Sequence, residues 1–238
     1  MNLVIDIGNS SAKTGCFAPN ALRGTYRRVS HDELLPLVQA LKPERILFSS
    51  VAGETEKWRA GLAVWTDTVL LLDHRLPLPF QNHYQTPETL GTDRLAAVAG
   101  AQALYPGRTC LTIDAGTCLK YEWLENGRHY RGGGISPGLR MRFQAMHAFT
   151  SRLPLLEPDA DAPLTGTSTH GAMQSGALNG MAAEMEGIVA RYRAQQPDAV
   201  VILTGGDAHF FERRLKTPIF AISDLVLVGL NHILQFNS

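Results

Sequence analysis

The feature that most constrains this chain is a repeat. Leu3-Val4-Ile5-Asp6-Ile7-Gly8-Asn9-Ser10 returns as Leu111-Thr112-Ile113-Asp114-Ala115-Gly116-Thr117-Cys118, about half a chain later. Each copy is an apolar strand that ends in Asp-x-Gly-(Asn/Thr) and is followed by a second short strand-like run. One copy alone also reads as an ordinary hairpin turn, with Asp and Gly in their usual turn roles. Two copies, each opening one half of the chain, point to a duplicated domain with an anionic ligand held between the copies.

The chemistry of the loop supports an anion. Glycine permits a tight turn and a close approach of ligand to backbone. Successive backbone N–H groups in such a turn form a concave nest for anions. Asn9, Ser10 and Thr117 add side-chain donors, and Lys13 adds a point charge. A carboxylate beside phosphate repels it, so Asp6 and Asp114 suit a bridging cation or water instead.

Composition narrows the class. The 238 residues suffice for one large domain or two small ones. Hydrophobic residues make up 45% and charged residues 18%, so real cores can be buried and disorder is not expected. Lys plus Arg (22) equals Asp plus Glu (22), which gives no basic field for nucleic acid. The N-terminus enters a strand at Leu3 without a charged leader, so no secretory signal is expected, and no apolar run is long enough to span a bilayer. Cys16, Cys110 and Cys118 lack metal-type spacing and read as free thiols of a reducing cytoplasm. His129 and His209 read as surface histidines.

Periodicity predicts strands at 2–7, 11–17 and 25–30, then an amphipathic helix introduced by His31-Asp32-Glu33 and stopped at Lys42-Pro43. A buried strand over 46–51, a helix over 54–63 and a short strand over 69–72 follow. After a proline-rich connector, Gly91-Thr92-Asp93-Arg94 starts an alanine-rich helix to Tyr105. The second half predicts strands at 109–114 and 118–124, and an Asn126-Gly127 turn. Gly132 to Gly138 reads as a flexible loop leading into a helix over 139–149. Thr169 begins a long helix on which Ala172, Gly176 and Gly180 form a small-residue ridge suited to close helix packing. A strand over 200–203 ends in Thr204-Gly205-Gly206-Asp207, and an apolar helix over 224–234 closes the chain. The expected fold is α/β, two domains (1–107 and 108–238) of mixed sheet led by a β-hairpin, the last helix being a candidate to pack on the first domain. There is no G-x-G-x-x-G opening a helix and no Walker loop.

The paired loops, with a strand ending in Gly-Gly, resemble the actin-like (ribonuclease H-like) ATPases, sugar kinases and Hsp70 chaperones. In that superfamily two such loops hold phosphates across a cleft between the lobes. The resemblance sharpens with Asp6 to Lys13, Tyr84, Gly91-Thr92-Asp93-Arg94, Asp114-Ala115-Gly116-Thr117, Gly132 to Gly138, and Thr169 with Ala172-Met173-Gln174-Ser175-Gly176. Together, in this order, they are similar to type III pantothenate kinase.

That resemblance implies ATP-dependent phosphorylation of pantothenate at its 4′-hydroxyl, giving 4′-phosphopantothenate, the first step of coenzyme A biosynthesis. It implies ATP contacts from Asp6, Ile7, Gly8, Asn9, Ser10, Ser11, Ala12, Lys13 and Thr117. It implies pantothenate contacts from Tyr84, Gly91, Thr92, Asp93, Arg94 and Thr169, with Asp93 as proton acceptor. Asp114 would ligate a monovalent cation (K⁺ or NH₄⁺), and Mg²⁺ would accompany ATP. A cytoplasmic homodimer is implied as well. Read without the family, Asp93 is first a helix-capping residue and Arg94 a surface arginine, while Tyr84 is equally a packed aromatic and Thr169 an N-cap.

One departure stands out. The family runs small-x-Thr-x-Asp after its second loop, whereas this chain has Cys118-Leu119-Lys120-Tyr121-Glu122. Lys120 either partly replaces a cation or points to solvent from a strand that alternates faces. The residues also fit two other functions: a sugar-type kinase of the same superfamily, and a non-catalytic module that uses nucleotide as a regulatory switch.

Overall fold

The computed structural model describes residues 1–50 and 54–238. Its strands are β1 (Asn2–Ile7), β2 (Ala12–Phe17), β3 (Thr25–Val29), β4 (Arg45–Ser50), β5 (Val69–Leu71), β6 (Gln81–Asn82), β7 (Cys110–Ala115), β8 (Cys118–Glu125), β9 (His129–Pro137), β10 (Val200–Thr204) and β11 (Phe220–Ala221). The helices are α1 (His31–Leu41), α2 (Thr55–Ala63), α3 (Thr92–Leu104), α4 (Leu139–Ala148), α5 (Thr169–Gln195) and α6 (Leu225–Phe236). Val51, expected at the end of the fourth strand, lies outside the described residues.

Two compact units emerge. The first comprises Met1–Gly107, Leu124–Arg131 and Asp224–Ser238; the second comprises Arg108–Trp123 and Gly132–Ser223. The first carries a sheet in the order β3-β2-β1-β4-β5. The second is built on the order β9-β8-β7-β10-β11. Matched strand by strand, β1 to β5 correspond to β7 to β11, so the repeated motif opens two copies of the same strand order.

In the first unit β1 pairs antiparallel with β2 and parallel with β4. It is buried on both faces, as its nearly unbroken apolar sequence requires. One face packs Leu3, Ile5 and Ile7 against Leu34 and Val38 of α1 and Trp58 and Leu62 of α2. Helices α3 and α6 pack on each other and on this unit's strands. Their approach is close: a Cβ at Gly229 would overlap the Ala96 carbonyl and lie 2.6 Å from the Gly100 amide nitrogen. Asn2 Nδ2 donates to Asn231 Oδ1 at 3.1 Å, tying β1 to the closing helix through buried side chains. The helix start expected at His31-Asp32-Glu33 is capped by Ser30, with Glu33 closing a capping box. That hydrogen bonding to Ser30 holds the Glu33 carboxyl below its ordinary range.

In the second unit β7 is parallel to β10, and β10 to β11. The Gly116-Thr117 link is too short for a crossover, so β7 and β8 form a hairpin. Leu111, Ile113, Ala115, Leu119, Tyr121 and Trp123 share one core with Met173, Ala177, Met181 and Met185 of α5.

Two expectations are corrected here. Gly132 to Pro137 form part of strand β9 and are not a flexible loop. The glycines answer a steric demand: a Cβ at Gly133 would collide with the Tyr121 carbonyl oxygen, and Gly132 has φ +96°. The ridge of Ala172, Gly176 and Gly180 is exposed, and a Cβ at either glycine meets nothing within 4 Å among the described residues. The packed face of α5 is the methionine-rich one. No described helix is long and apolar enough to cross a membrane.

Candidate active site

The first Asp-x-Gly loop joins β1 to β2. Gly8 donates its N–H to the Ser11 carbonyl at 3.0 Å, so the glycine amide closes the turn instead of facing a ligand. Asn9 and Ser10 are exposed beyond it. Ser49 Oγ donates to Asp6 Oδ1 at 2.9 Å. His31 Nε2 lies 3.0 Å from the Gly8 carbonyl, which can only accept, so this nitrogen carries the proton. Lys13 stands directly across from Asp6 in the β1–β2 register. Ile7 and Ala12 are fully buried in the core, so only their backbone is available to a ligand. Neither His31 nor Ser49 was expected at this loop. Both come from distant sequence positions, and nothing local to the repeat points to them.

The second loop joins β7 to β8. Gly116 donates its N–H to the Cys118 carbonyl at 3.2 Å, repeating the first loop's closure. Thr117 is exposed at the tip. The Asp114 carboxylate meets the Lys120 ammonium at 2.7 Å. The glycine-rich stretch and the third loop press on the same turn. A Cβ at Gly138, which caps α4, would collide with the Gly116 and Thr117 carbonyl oxygens. Gly205, at φ +101°, leaves room for the Asp114 carboxylate; a Cβ there would lie 2.5 Å from Asp114 Oδ1. Asp207 donates its N–H to the Ala115 carbonyl at 2.9 Å and accepts from Arg140 Nη1 at 2.7 Å. Gly205 is thus fitted against the second loop, whereas a Cβ at Gly206 would meet nothing within 4 Å among the described residues.

The third cluster sits at the start of α3. Gly91 is the N-cap and Asp93 lies in the first turn, where the macrodipole favours negative charge. Asp93 Oδ1 accepts from the Arg94 N–H at 2.9 Å. A Cβ at Gly91 would lie 2.6 Å from Asp93 Oδ1, so the glycine leaves space for the carboxylate. Arg94, expected as a possible surface residue, is buried, with its guanidinium 5.2 Å from the Tyr84 ring centroid. Its Nη1 donates to the Tyr84 hydroxyl at 3.4 Å. Tyr84 in turn stacks on Tyr130, centroids 6.4 Å apart and planes within 6°. The pairing of β6 with the start of β9, Asn82 opposite Tyr130, brings these rings together. Tyr84, Gly91, Thr92, Asp93 and Arg94 therefore form one group. Thr169 lies in the other unit, exposed at the first position of α5, and the cap there is Ser168, whose Oγ accepts from Gly171.

Cys16, Cys110 and Cys118 are free. Burial pushes the Cys110 thiol up to about 12. His129 shares a 3.1 Å hydrogen bond with His83, and His209 hydrogen-bonds the Gly206 carbonyl at 3.1 Å.

Repeated hairpin-led sheets with these loops define the chain's class: it has the fold of the actin-like ATPases and sugar kinases. A crystal structure described as a 2-dehydro-3-deoxygalactonokinase from Sinorhizobium meliloti matches it with a TM-score of 0.62 at 17% identity, covering 100% of this chain and 99% of that one. Within the class, the model of the type III pantothenate kinase family matches residues 2–191. Type III pantothenate kinases of Cytophaga hutchinsonii and Phocaeicola vulgatus are 44% and 42% identical to it. The alignments cover 100% of this chain with each, and 100% and 99% of those proteins. The chain belongs to the type III pantothenate kinase family.

Proposed function

We propose that this protein transfers the γ-phosphoryl group of MgATP to the 4′-hydroxyl of pantothenate, forming 4′-phosphopantothenate, the first step of coenzyme A biosynthesis. The observation that carries the reading is the group at the start of α3, where Asp93, Arg94 and Tyr84 stand together beside a glycine that leaves room for the carboxylate. A sugar-type kinase offers no reason for that combination.

In this reading Asp93 accepts the hydroxyl proton while aiming the oxygen at the phosphorus. Phosphoryl transfer has a loose transition state, so orientation matters more than early deprotonation. Arg94 supplies positive charge for the pantothenate carboxylate. Tyr84, Gly91, Thr92 and Thr169 line the substrate with donors and backbone. Asn9, Ser10, Ser11, Lys13 and Thr117 take the nucleotide phosphates, Asp6 acts through a bridging cation or water, Gly8 lets the ligand approach the turn closely, and Ile7 and Ala12 contribute through backbone alone. Mg²⁺ bound with ATP would supply positive charge against the phosphate oxygens.

The protein works as a cytoplasmic homodimer in this account. Phe149, Leu155 and Leu164 are exposed apolar side chains of the second unit. The test is ADP release with pantothenate against an acetamido sugar, at equal concentrations. Turnover with pantothenate alone is expected; turnover with the sugar alone overturns the assignment.

A further inference from the structure

We propose that Lys120 is a built-in cation for the second Asp-x-Gly loop, its ammonium taking the seat of a monovalent metal ion so that nucleotide binding does not depend on potassium. The inference rests on the reading of that loop as a phosphate loop.

The strand pattern commits Lys120 to this position. Ile113 and Ala115 of β7 share a core with Leu119 and Tyr121 of β8. Side chains alternate along a strand, so Asp114 and Lys120 both fall on the opposite face of the hairpin. There they form an ion pair of 2.7 Å, each side chain only 15% exposed. A pair open to water contributes little and exchanges readily with salt. This one is largely shielded, and removing one member would leave its partner buried and uncompensated.

A metal ion fits poorly beside Lys120. Asp114 Oδ2 is engaged by the ammonium at 2.7 Å, and a second cation on the same carboxylate would face that ammonium's charge at close range. Chemically the replacement is direct. A lysine ammonium carries the same single charge as K⁺, and its three N–H donors can serve a carboxylate and a phosphate oxygen at once. Paired with Asp114 it cancels the repulsion that the carboxylate alone would exert on a polyphosphate. The first hairpin follows the same plan, with Lys13 opposite Asp6 on the returning strand.

The test is calorimetric titration with a non-hydrolysable MgATP analogue, for the unmodified protein and Lys120→Thr. Each is measured in potassium chloride and in choline chloride at equal ionic strength, with pantothenate turnover followed in parallel. The unmodified protein is expected to bind within about twofold in the two salts. Lys120→Thr is expected to lose about tenfold in choline and to recover in potassium. A tenfold loss by the unmodified protein on leaving potassium overturns the proposal, and needs no variant to be seen. Undiminished binding by Lys120→Thr in choline overturns it too, as does absence of nucleotide binding in both salts. Failure of the pantothenate assignment would look different: nucleotide bound, with no phosphopantothenate in either salt.

Discussion

Gly229→Ala tests the packing that holds the proposed substrate residues in place. Asp93 and Arg94 sit on α3, and α3 rests against α6. A methyl group at position 229 would overlap the Ala96 carbonyl and stand 2.6 Å from the Gly100 amide nitrogen. Comfortable contact between non-bonded heavy atoms needs about 3.5–4.0 Å, so the helices must separate by about 2 Å, the Ala96 carbonyl setting the demand. The obstacle is backbone on both sides, which no rotamer change relieves. Overpacking of a core costs about 1–3 kcal/mol, and this case belongs at the upper end. For a chain of this size about 3 kcal/mol lowers Tm by roughly 6–12 °C. The control is the same substitution at Gly176, exposed on α5 with nothing within 4 Å of its Cβ position among the described residues. There alanine gains helix propensity worth about 0.4–1 kcal/mol, so Tm should rise by roughly 1–4 °C. Thermal melts followed by circular dichroism read both. Equal melting temperatures for the two variants would refute the close α3–α6 approach.

Three other outcomes are expected. Asp93→Asn should abolish phosphoryl transfer while nucleotide affinity, measured by calorimetry, stays within about twofold; near-normal turnover would remove Asp93 from its role. Arg94→Lys should raise KM for pantothenate about tenfold with a smaller change in kcat, because lysine loses both the planar fork and the stacking on Tyr84; steady-state kinetics decide. Burial raises the Cys110 thiol to about 12, so it stays protonated while pH is well below that value. At pH 8 its thiolate fraction is about 10⁻⁴, and mass-spectrometric mapping should find iodoacetamide on Cys118 long before Cys110. Early labelling of Cys110 in folded protein would contradict its burial.

What could be read from the sequence was what local chemistry decides. The apolar runs of β1 and β7 and their Asp-x-Gly ends fix the two hairpins. Asn126 and Gly127 take the positive φ values, +52° and +60°, that a tight hairpin turn requires of those residue types. The grouping of Asp93 with Gly91 was legible for the same reason, since both lie in one helix turn. What escaped depends on distant partners. The glycines of β9 suggested flexibility, but the Tyr121 carbonyl on the neighbouring strand is what demands them. Gly176 and Gly180 suggested a packing ridge, yet which face of α5 meets the sheet was decided by Met173, Met181 and Met185. Ser168 and Thr169 are equally able caps in sequence, and only the backbone angles choose Ser168. In sequence Lys120 suits either a cation's place or solvent, because strand alternation fixes its face only once the register to Asp114 is known.

The most direct test of the central claim is phosphorus NMR of a reaction containing the protein, MgATP and pantothenate. The account predicts one new phosphate monoester signal, coupled to the protons at the 4′-carbon of pantothenate, growing in equal amount with ADP. ADP and inorganic phosphate without that ester, or an ester on a different hydroxyl, would contradict it.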